Sequence, residues 1–420
     1  MLMKKVIRFG TGSKSKNRTE TIRAMEAASN DLNGRVELIQ MLIPLGLKDV
    51  HDELQDEVRR LVGERHSRQS PGIGRWGKNP GSVYLGDQKI LIEVPRVRNT
   101  NDGCEVPLQS YQALQNPRVI DHAVLARMIN GLSSRKYERA ALTVPETFGI
   151  RRNSVSRRFI RATARQLKKL MERDLSQEDI VAIFIDGKSL GELEVVIALG
   201  ITIEGKKLVL GFIETSTENA RVCKEFLSGL VQRGLKMEEE ILFIIDGAKG
   251  IRKAITDVIG AGACVQRCQW HKRENVVSYL DKKHQGEFRG KLQDAYDELT
   301  YDVARQKLMN VRQELKRLNV SAVASLDEGL EETLTLHRLG VFSELGTSFK
   351  TTNCIESLNS MVGQYTGRVT SWKNSDQRQR WVASALLEVE PWLRRVKGHR
   401  LLKKLRLAMK QHVVCEAKAA

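Results

Sequence analysis

The sequence predicts an α/β fold: a mixed β-sheet core with an all-helical insertion, preceded by a mainly helical region that carries a β-hairpin. Two observations carry this. Between Val181 and Ile245 the chain alternates wholly apolar segments with polar turns: Val181–Ile185, Val195–Leu199, Leu208–Ile213, a helix over Asn219–Val231, then Ile241–Ile245. Continuous apolar runs of that length read as strands buried on both faces. From Lys272 to about Leu336 the sequence is instead charged, with few turn residues, and its apolar positions (Phe288, Leu292, Ala295, Leu299) fall at helical spacing.

In the first third, Val50, Leu54, Val58, Leu61 and Val62 recur at helical spacing and stop at Gly63, which predicts one amphipathic helix. A Gly-rich, basic loop is expected over Gly72–Gly81. It leads into two β-prone runs, Val83–Leu85 and Lys89–Val94, flanking Gly86-Asp87, which predicts a hairpin. Arg96 and Arg98 at its edge face either phosphate or solvent. A helix is then expected from Val119 to Ile129, ending at Asn130-Gly131, and another after Ser133-Ser134. Val144–Ile150 leads into a third helix opened by Asn153 or Ser154, the outline of a helix-turn-helix. Arg135–Asp174 holds twelve Lys or Arg against four Asp or Glu. With Val155 and Phe159 facing a small core, Arg151, Arg152, Asn153, Ser154, Arg157, Arg158 and Arg161 remain for phosphates and base edges.

The resulting organisation is 1–105 (helical region with loop and hairpin), 106–175 (DNA-binding helix-turn-helix), 176–275 (first part of the core), 276–345 (helical insertion) and 346–420 (core helix and basic tail). The tail, Pro391–Lys410, carries eight Lys or Arg and no acid, which suits either a DNA clamp or a solvated helix. A total of 69 Lys and Arg against 51 Asp and Glu leaves a net charge of +18, pointing to a polyanionic partner, with nucleic acid foremost. No apolar run reaches the ~20 residues of a membrane span, so a cytoplasmic protein with no membrane partner is expected. Six scattered cysteines form no disulfide framework.

The chemistry-bearing residues begin with a repeated pair. Two apolar segments each run into Asp-Gly, as Asp186-Gly187-Lys188 and Asp246-Gly247-Ala248. Either each Asp turns a strand end, or two carboxylates beyond the carboxyl ends of neighbouring strands hold a divalent cation. After Asp246 a helix (Gly250–Ile259) and a strand (Ala263–Cys268) follow. Strand, strand, strand, helix, strand, helix, strand is the order of the ribonuclease H-like fold, in which the first and fourth strands are neighbours. That would bring Asp186 beside Asp246, where carboxylate-bridged metal ions assist in-line displacement at phosphorus.

A third carboxylate is then required from a later helix, and Glu356 is the candidate. If Asn353 caps a helix with Ile355, Leu358 and Val362 as its apolar stripe, Glu356 is either a ligand or a capping-box glutamate serving its own backbone. Cys268 and His271, even with Cys264, fall short of a four-ligand zinc site, and a structural or DNA-positioning role beside the strands is expected. Gly247-Ala248-Lys249-Gly250 lacks the spacing that cradles a nucleotide, so no nucleotide cofactor is implied.

Four blocks carry a family resemblance: Phe184–Lys188, Ile245–Gly247, Val265–Lys272 and Thr351–Asn359. They resemble the signature blocks of the Mutator-type transposases of prokaryotic insertion sequences. The likeness extends from about Arg135 onward and, more loosely, to the Val83–Arg98 hairpin. It implies a DDE transposase with a ribonuclease H-like core interrupted before its glutamate, Asp186, Asp246 and Glu356 as catalytic triad and metal ligands, and Cys268 and His271 as an accessory pair near the site. It implies Mg²⁺ as cofactor, with Mn²⁺ able to substitute. The activity implied is binding to the element's terminal inverted repeats, followed by metal-dependent cleavage and strand transfer. The expected partners are double-stranded DNA, as element ends and target, and further copies of the chain in a homo-oligomer. Two alternatives remain: a transposase-derived, non-catalytic DNA-binding protein, and a structure-selective nuclease on the same fold.

Overall fold

The computed structural model describes residues 32–65, 72–85, 88–115, 118–133, 148–149, 152–191, 193–215, 219–237, 240–260, 262–369 and 371–419, and the chain divides into two units, Met1–Ala162 and Thr163–Ala420. In the first unit, helix α1 (Leu32–Val62) ends at Gly63, whose φ of 85° only glycine adopts freely. The expected stripe is its buried face. Val50, Leu54, Val58 and Val62 pack with Val83, Ile90, Ile92, Val94 and Val97 from strands β1 (Ile73–Leu85) and β2 (Gln88–Asn99). These strands pair antiparallel from Leu85↔Gln88 back to Ile73↔Asn99, with an irregularity between Arg75 and Lys78.

The loop expected over Gly72–Gly81 is therefore mostly strand. Among the described residues β1 pairs with β2 alone, and a sheet edge tolerates Pro80 because one side of the strand asks for no N–H. Arg98 lies 4.8 Å over the Trp76 ring and adds a cross-strand contact. Strand β3 (Glu105–Val106) also pairs with β2, and Arg96 is ion-paired with Glu105 at 2.6 Å. Helices α2 (Gln109–Gln115) and α3 (Arg118–Ile129) follow, α3 closing at Asn130-Gly131 as expected. The helix expected after Ser134 lies outside the described residues. Phe148-Gly149, expected within the turn of the helix-turn-helix, forms a short strand, β4, paired with Lys89 and Gln88. Helix α4 (Arg152–Met171) contains the division between the units.

The second unit is built on a mixed five-stranded sheet: β5 (Ile180–Leu190), β6 (Leu193–Thr202), β7 (Lys207–Thr215), β8 (Leu242–Ile245) and β9 (Cys264–Arg267). Its order is β7-β6-β5-β8-β9, with β5, β6 and β7 antiparallel and β8 and β9 parallel to β5. Side chains alternate between two apolar layers. Ile183, Ile185, Phe243 and Ile245 meet Phe226, Leu227 and Leu230 of α5 (Ala220–Gln232) and Ile251 and Ile255 of α6 (Lys249–Ile259). On the other face Phe184, Leu242 and Ile244 meet residues from the end of the chain. At roughly 1.5–3 kcal/mol for each fully buried large apolar side chain, burial on both sides fixes the height of each strand.

Beyond β9 the chain becomes helical: α7 (Gln269–Ser278), α8 (Lys282–Tyr296), α9 (Tyr301–Lys316) and α10 (Val320–Asp327), then the short α11 (Leu330–Thr333), α12 (Thr335–Arg338) and α13 (Phe342–Phe349). Phe288, Leu292, Leu308, Val311 and Leu326 give this excursion a core of its own. The chain returns as α14 (Asn353–Thr366), α15 (Ser375–Val389) and α16 (Leu402–Ala419). Glu390 receives a two-pronged bond from Arg173 at 2.8 Å and the Val209 amide at 2.7 Å, tying this return to β7. Among the described residues no helix is long and apolar enough to cross a membrane.

Candidate active site

The parallel pairing of β5 with β8 runs from Ala182↔Leu242 to Ile185↔Ile245. Asp186 and Asp246 each follow the last paired residue, so the sheet delivers both carboxylates to one edge. They differ in local structure, however. Asp246-Gly247 does end its strand: Gly247 has φ 117°, and Asp246 Oδ1 accepts from the Ala248 amide at 2.9 Å, a local Asx-type bond. Asp186-Gly187 does not, contrary to the sequence expectation, because β5 continues to Leu190 against β6. From Asp186 onward β5 has lost β8 on its other side, and α14 comes to that gap. Asn359 Nδ2 donates to Asp186 Oδ2 at 2.9 Å, and Lys188 Nζ crosses over Gly363 to donate to the Asn359 carbonyl at 2.5 Å.

Helix α14 begins one residue earlier than the sequence suggested. Its N-cap is Thr352 rather than Asn353, with Ile355, Leu358 and Val362 buried as expected. Glu356 thus stands at the fourth helical position, one beyond the place a capping box needs. Its carboxylate does not bond the cap's backbone; Oε1 accepts from Thr352 Oγ1 at 2.5 Å. The Thr352 hydroxyl also lies 3.5 Å from Cys268 Sγ and 3.3 Å from His271 Nδ1. The loop before α14 and the start of α7 are therefore joined at the side of the carboxylates.

Electrostatics ties these groups together. Asp186 is 8% exposed, and burial, with the charges of Asp246 and then Glu356, pushes its carboxyl up to about 7; His271 and the Asn359 bond oppose this. Burial disfavours ionised Cys268, but hydrogen bonds from His271 and Thr352 outweigh it and hold the thiol below its ordinary value. His271 is raised to about 9 by its bond to Cys268 and by the charges of Cys268, Asp246 and Glu356, so the pair leans toward thiolate and imidazolium. Burial, then Asp246, also raises Glu194 on β6, a fourth carboxylate at this edge that the sequence reading did not single out.

The three expected ligands feel one another without forming a closed cluster: among the described residues no three His, Cys, Asp or Glu side chains are gathered tightly enough to hold an ion. Each carboxylate takes its own donor, from Asn359, Ala248 or Thr352. The donor set nevertheless fits hard divalent cations, being carboxylate oxygens whose mutual repulsion a cation relieves. Cys264 cannot complete a zinc site with Cys268. Cys264 opens the four-residue β9 and Cys268 follows its end, about 13 Å apart at the ~3.3 Å rise of a strand.

Of the expected DNA-facing residues, Asn153, Arg157 and Arg161 are exposed on α4, whereas Val155 and Phe159 are buried as expected. Arg158 is 4% exposed with its guanidinium 4.5 Å over the Tyr84 ring, so it braces the first unit instead of joining the exposed basic face. Arg151 and the side chains of Arg152 and Ser154 lie outside the described residues. The sequence reading gave no role to Asn359, Lys188 or Thr352. All three sit in the same blocks as the acids, and an amide one helical turn beyond Glu356, on its face, was the available signal.

Comparison with known proteins gives this site its context. Residues 14–394 match the family described as transposase, Mutator family. The chain is 28% identical over 323 residues to the transposase for insertion sequence element IS256 in transposon Tn4001 of Staphylococcus aureus, covering 72% of this chain and 78% of that one. It is also 28% identical over 371 residues to the transposase for insertion sequence element ISRM5 of Rhizobium meliloti, covering 83% and 89%. A third relative, the transposase for insertion sequence element IS406 of Burkholderia multivorans, is 23% identical over 389 residues, covering 89% and 95%. With a family match over nearly its whole length and insertion-sequence relatives aligned across most of theirs, this chain belongs to the Mutator family of transposases.

Proposed function

We propose that the protein is a DDE transposase that binds the inverted repeats at the ends of its own element, cleaves there and joins the freed 3′ hydroxyls to target DNA. The observation that carries this reading is the register Ile185↔Ile245, which sets Asp186 and Asp246 on neighbouring parallel strands with Glu356 in electrostatic reach of Asp186. The strand order, with the first and fourth strands adjacent, supports a ribonuclease H-like core whose helical insertion separates β9 from the glutamate-bearing α14.

In this reading Asp186, Asp246 and Glu356 hold Mg²⁺, for which Mn²⁺ can substitute. When bound, such cations lower the pKa of an attacking water or hydroxyl and offset charge at the phosphate. The chain's own contributions are separable. Asn359 fixes the Asp186 carboxylate, Thr352 fixes that of Glu356, and His271 as imidazolium adds positive charge where phosphate must approach other anions. The exposed Asn153, Arg157 and Arg161 of α4, as part of a helix-turn-helix, contact the repeats. Paired ends call for at least a dimer, and the place of action is the cytoplasm, where bacterial DNA lies.

Glu356→Gln tests the assignment. It keeps the side-chain volume and can still accept from Thr352. The expected variant folds, binds a labelled element end in a gel shift, loses the melting-temperature rise that Mg²⁺ gives wild type, and nicks several orders of magnitude more slowly. Nicking near the wild-type rate removes Glu356 from the triad.

A further inference from the structure

A cleft of about 740 Å³ opens between the end of β8, helix α7 and the insertion helix α10, and nothing in the reading above uses it. We propose that it receives one unpaired nucleotide of the DNA strand beside the scissile phosphate. The proposal rests on the transposase reading of the neighbouring carboxylates and names a subsite for the same substrate.

Position is the first argument. Gly247, part of the cleft wall, directly follows the candidate ligand Asp246, and Lys272, also in the wall, directly follows His271. The wall of the cleft therefore adjoins the candidate site through Gly247 and Lys272. Size is the second. The volume lies in the ~300–1,000 Å³ range of sites that enclose small ligands, whereas a duplex, whose major groove alone is ~12 Å wide, stays outside.

Chemistry is the third argument. Of the cations in the wall, Lys249 is exposed, whereas Arg267 and Lys272 are buried, Arg267 paired with Glu332 at 3.2 Å; Glu328 is the lining carboxylate. The Lys249 side chain is 85% exposed and only 3.8 Å from Glu328, a loose pair that a phosphate can replace. Tyr279, an aromatic side chain in the wall, is 51% exposed, while α10 contributes only small side chains such as Ala324 and Ser325. An exposed cation beside an exposed aromatic side chain is a pairing with which proteins hold unpaired bases. The cleft is also braced. Buried Lys272 donates to the Ser325 and Glu328 carbonyls at 2.7 and 2.6 Å, tying the end of α10 to α7.

Extruding a base costs unstacking and unpairing, and a mismatched pair has already lost part of that cost. The test is a metal-free binding titration with two duplexes bearing the terminal repeat, one matched and one with a single mismatch at the pair next to the cleavage position. Wild type is expected to bind the mismatched duplex at least about tenfold more tightly. Tyr279→Ala and Ala324→Glu alter exposed positions, and unchanged melting curves establish that they fold. Both are expected to bind the matched duplex within about threefold of wild type and to lose the preference. Equal binding of the two duplexes by wild type, or an undiminished preference in both variants, overturns the proposal. Failure to bind the matched repeat at all overturns the transposase reading and this subsite with it.

Discussion

Replacing Asp186 with Asn is expected to make the metal-free protein more stable while abolishing its chemistry. Asp186 is almost fully buried and its carboxyl is raised from 3.8 to about 7, by burial first and the Asp246 charge second. Roughly three pKa units at ~1.36 kcal/mol each set a ceiling of about 4 kcal/mol on the cost of holding this carboxylate ionised. The sign follows from proton binding. Between pH 4 and 7 the folded protein holds a proton that the unfolded chain has released, so stability is full below the unfolded pKa and falls as pH rises through about 7. Asn carries no such cost and still accepts from Asn359. At pH 8 in EDTA the variant should therefore melt higher, by up to ~8–16 °C at ~2–4 °C per kcal/mol, with the gap closing toward pH 4. Thermal unfolding monitored by circular dichroism across that range checks it. Added Mg²⁺ should raise the wild-type melting temperature and leave the variant unmoved. A variant no more stable than wild type at pH 8, or a gap independent of pH, refutes the claim that this carboxylate is strained by burial and its neighbours.

Other positions give further tests. Arg157→Ala with Arg161→Ala should weaken binding to element ends and flatten its salt dependence by roughly one counterion per lost phosphate contact, read from gel shifts at several salt concentrations. Arg158→Ala should instead leave the salt slope alone and cost about 1–2 kcal/mol in urea unfolding, because its guanidinium packs on Tyr84. Thr352→Val removes the hydroxyl bonded to Glu356 at little change in volume. Nicking should fall about 10- to 100-fold, restored in Thr352→Ser, with unfolding changed by less than ~2 kcal/mol. Metal analysis of purified protein should return well below one zinc per chain, since Cys268 and His271 engage each other and Thr352; a stoichiometric value contradicts that account.

The sheet was legible because burial on both faces leaves an unambiguous mark: the apolar runs at Val181, Val195, Leu208 and Ile241 each became a strand, the last three within three residues of their expected ends and the first running on to Leu190. The α14 stripe was legible for the same reason. What escaped depends on partners distant in sequence. Gly72–Gly81 resembles a loop by composition, and only the pairing of β1 with β2 reveals a strand. Asp186-Gly187 has the composition of a turn, but ten registered pairs with β6 carry it straight through. Arg158 looked like its exposed neighbours until the Tyr84 ring arrived from elsewhere in the chain. Asn359 and Lys188 gain a role only when α14 fills the gap beside β5, a meeting no local pattern announces.

The excursion that begins at α7 also closes on itself. The Gln269 amide donates to the Lys350 carbonyl at 3.0 Å, and Thr352 touches Cys268, so the chain departs and re-enters the core at one point. Such a junction works like a spliced-in cassette. The outer helices α8 and α9 can lengthen, shorten or be exchanged, because their apolar residues pack within the insertion's own core, whereas His271 stays at the site and Leu336, Phe342 and Phe349 stay packed in the core of the sheet. Diversification of the outer helices, and of whatever they grip, is thereby uncoupled from the acids that the sheet and α14 keep in register.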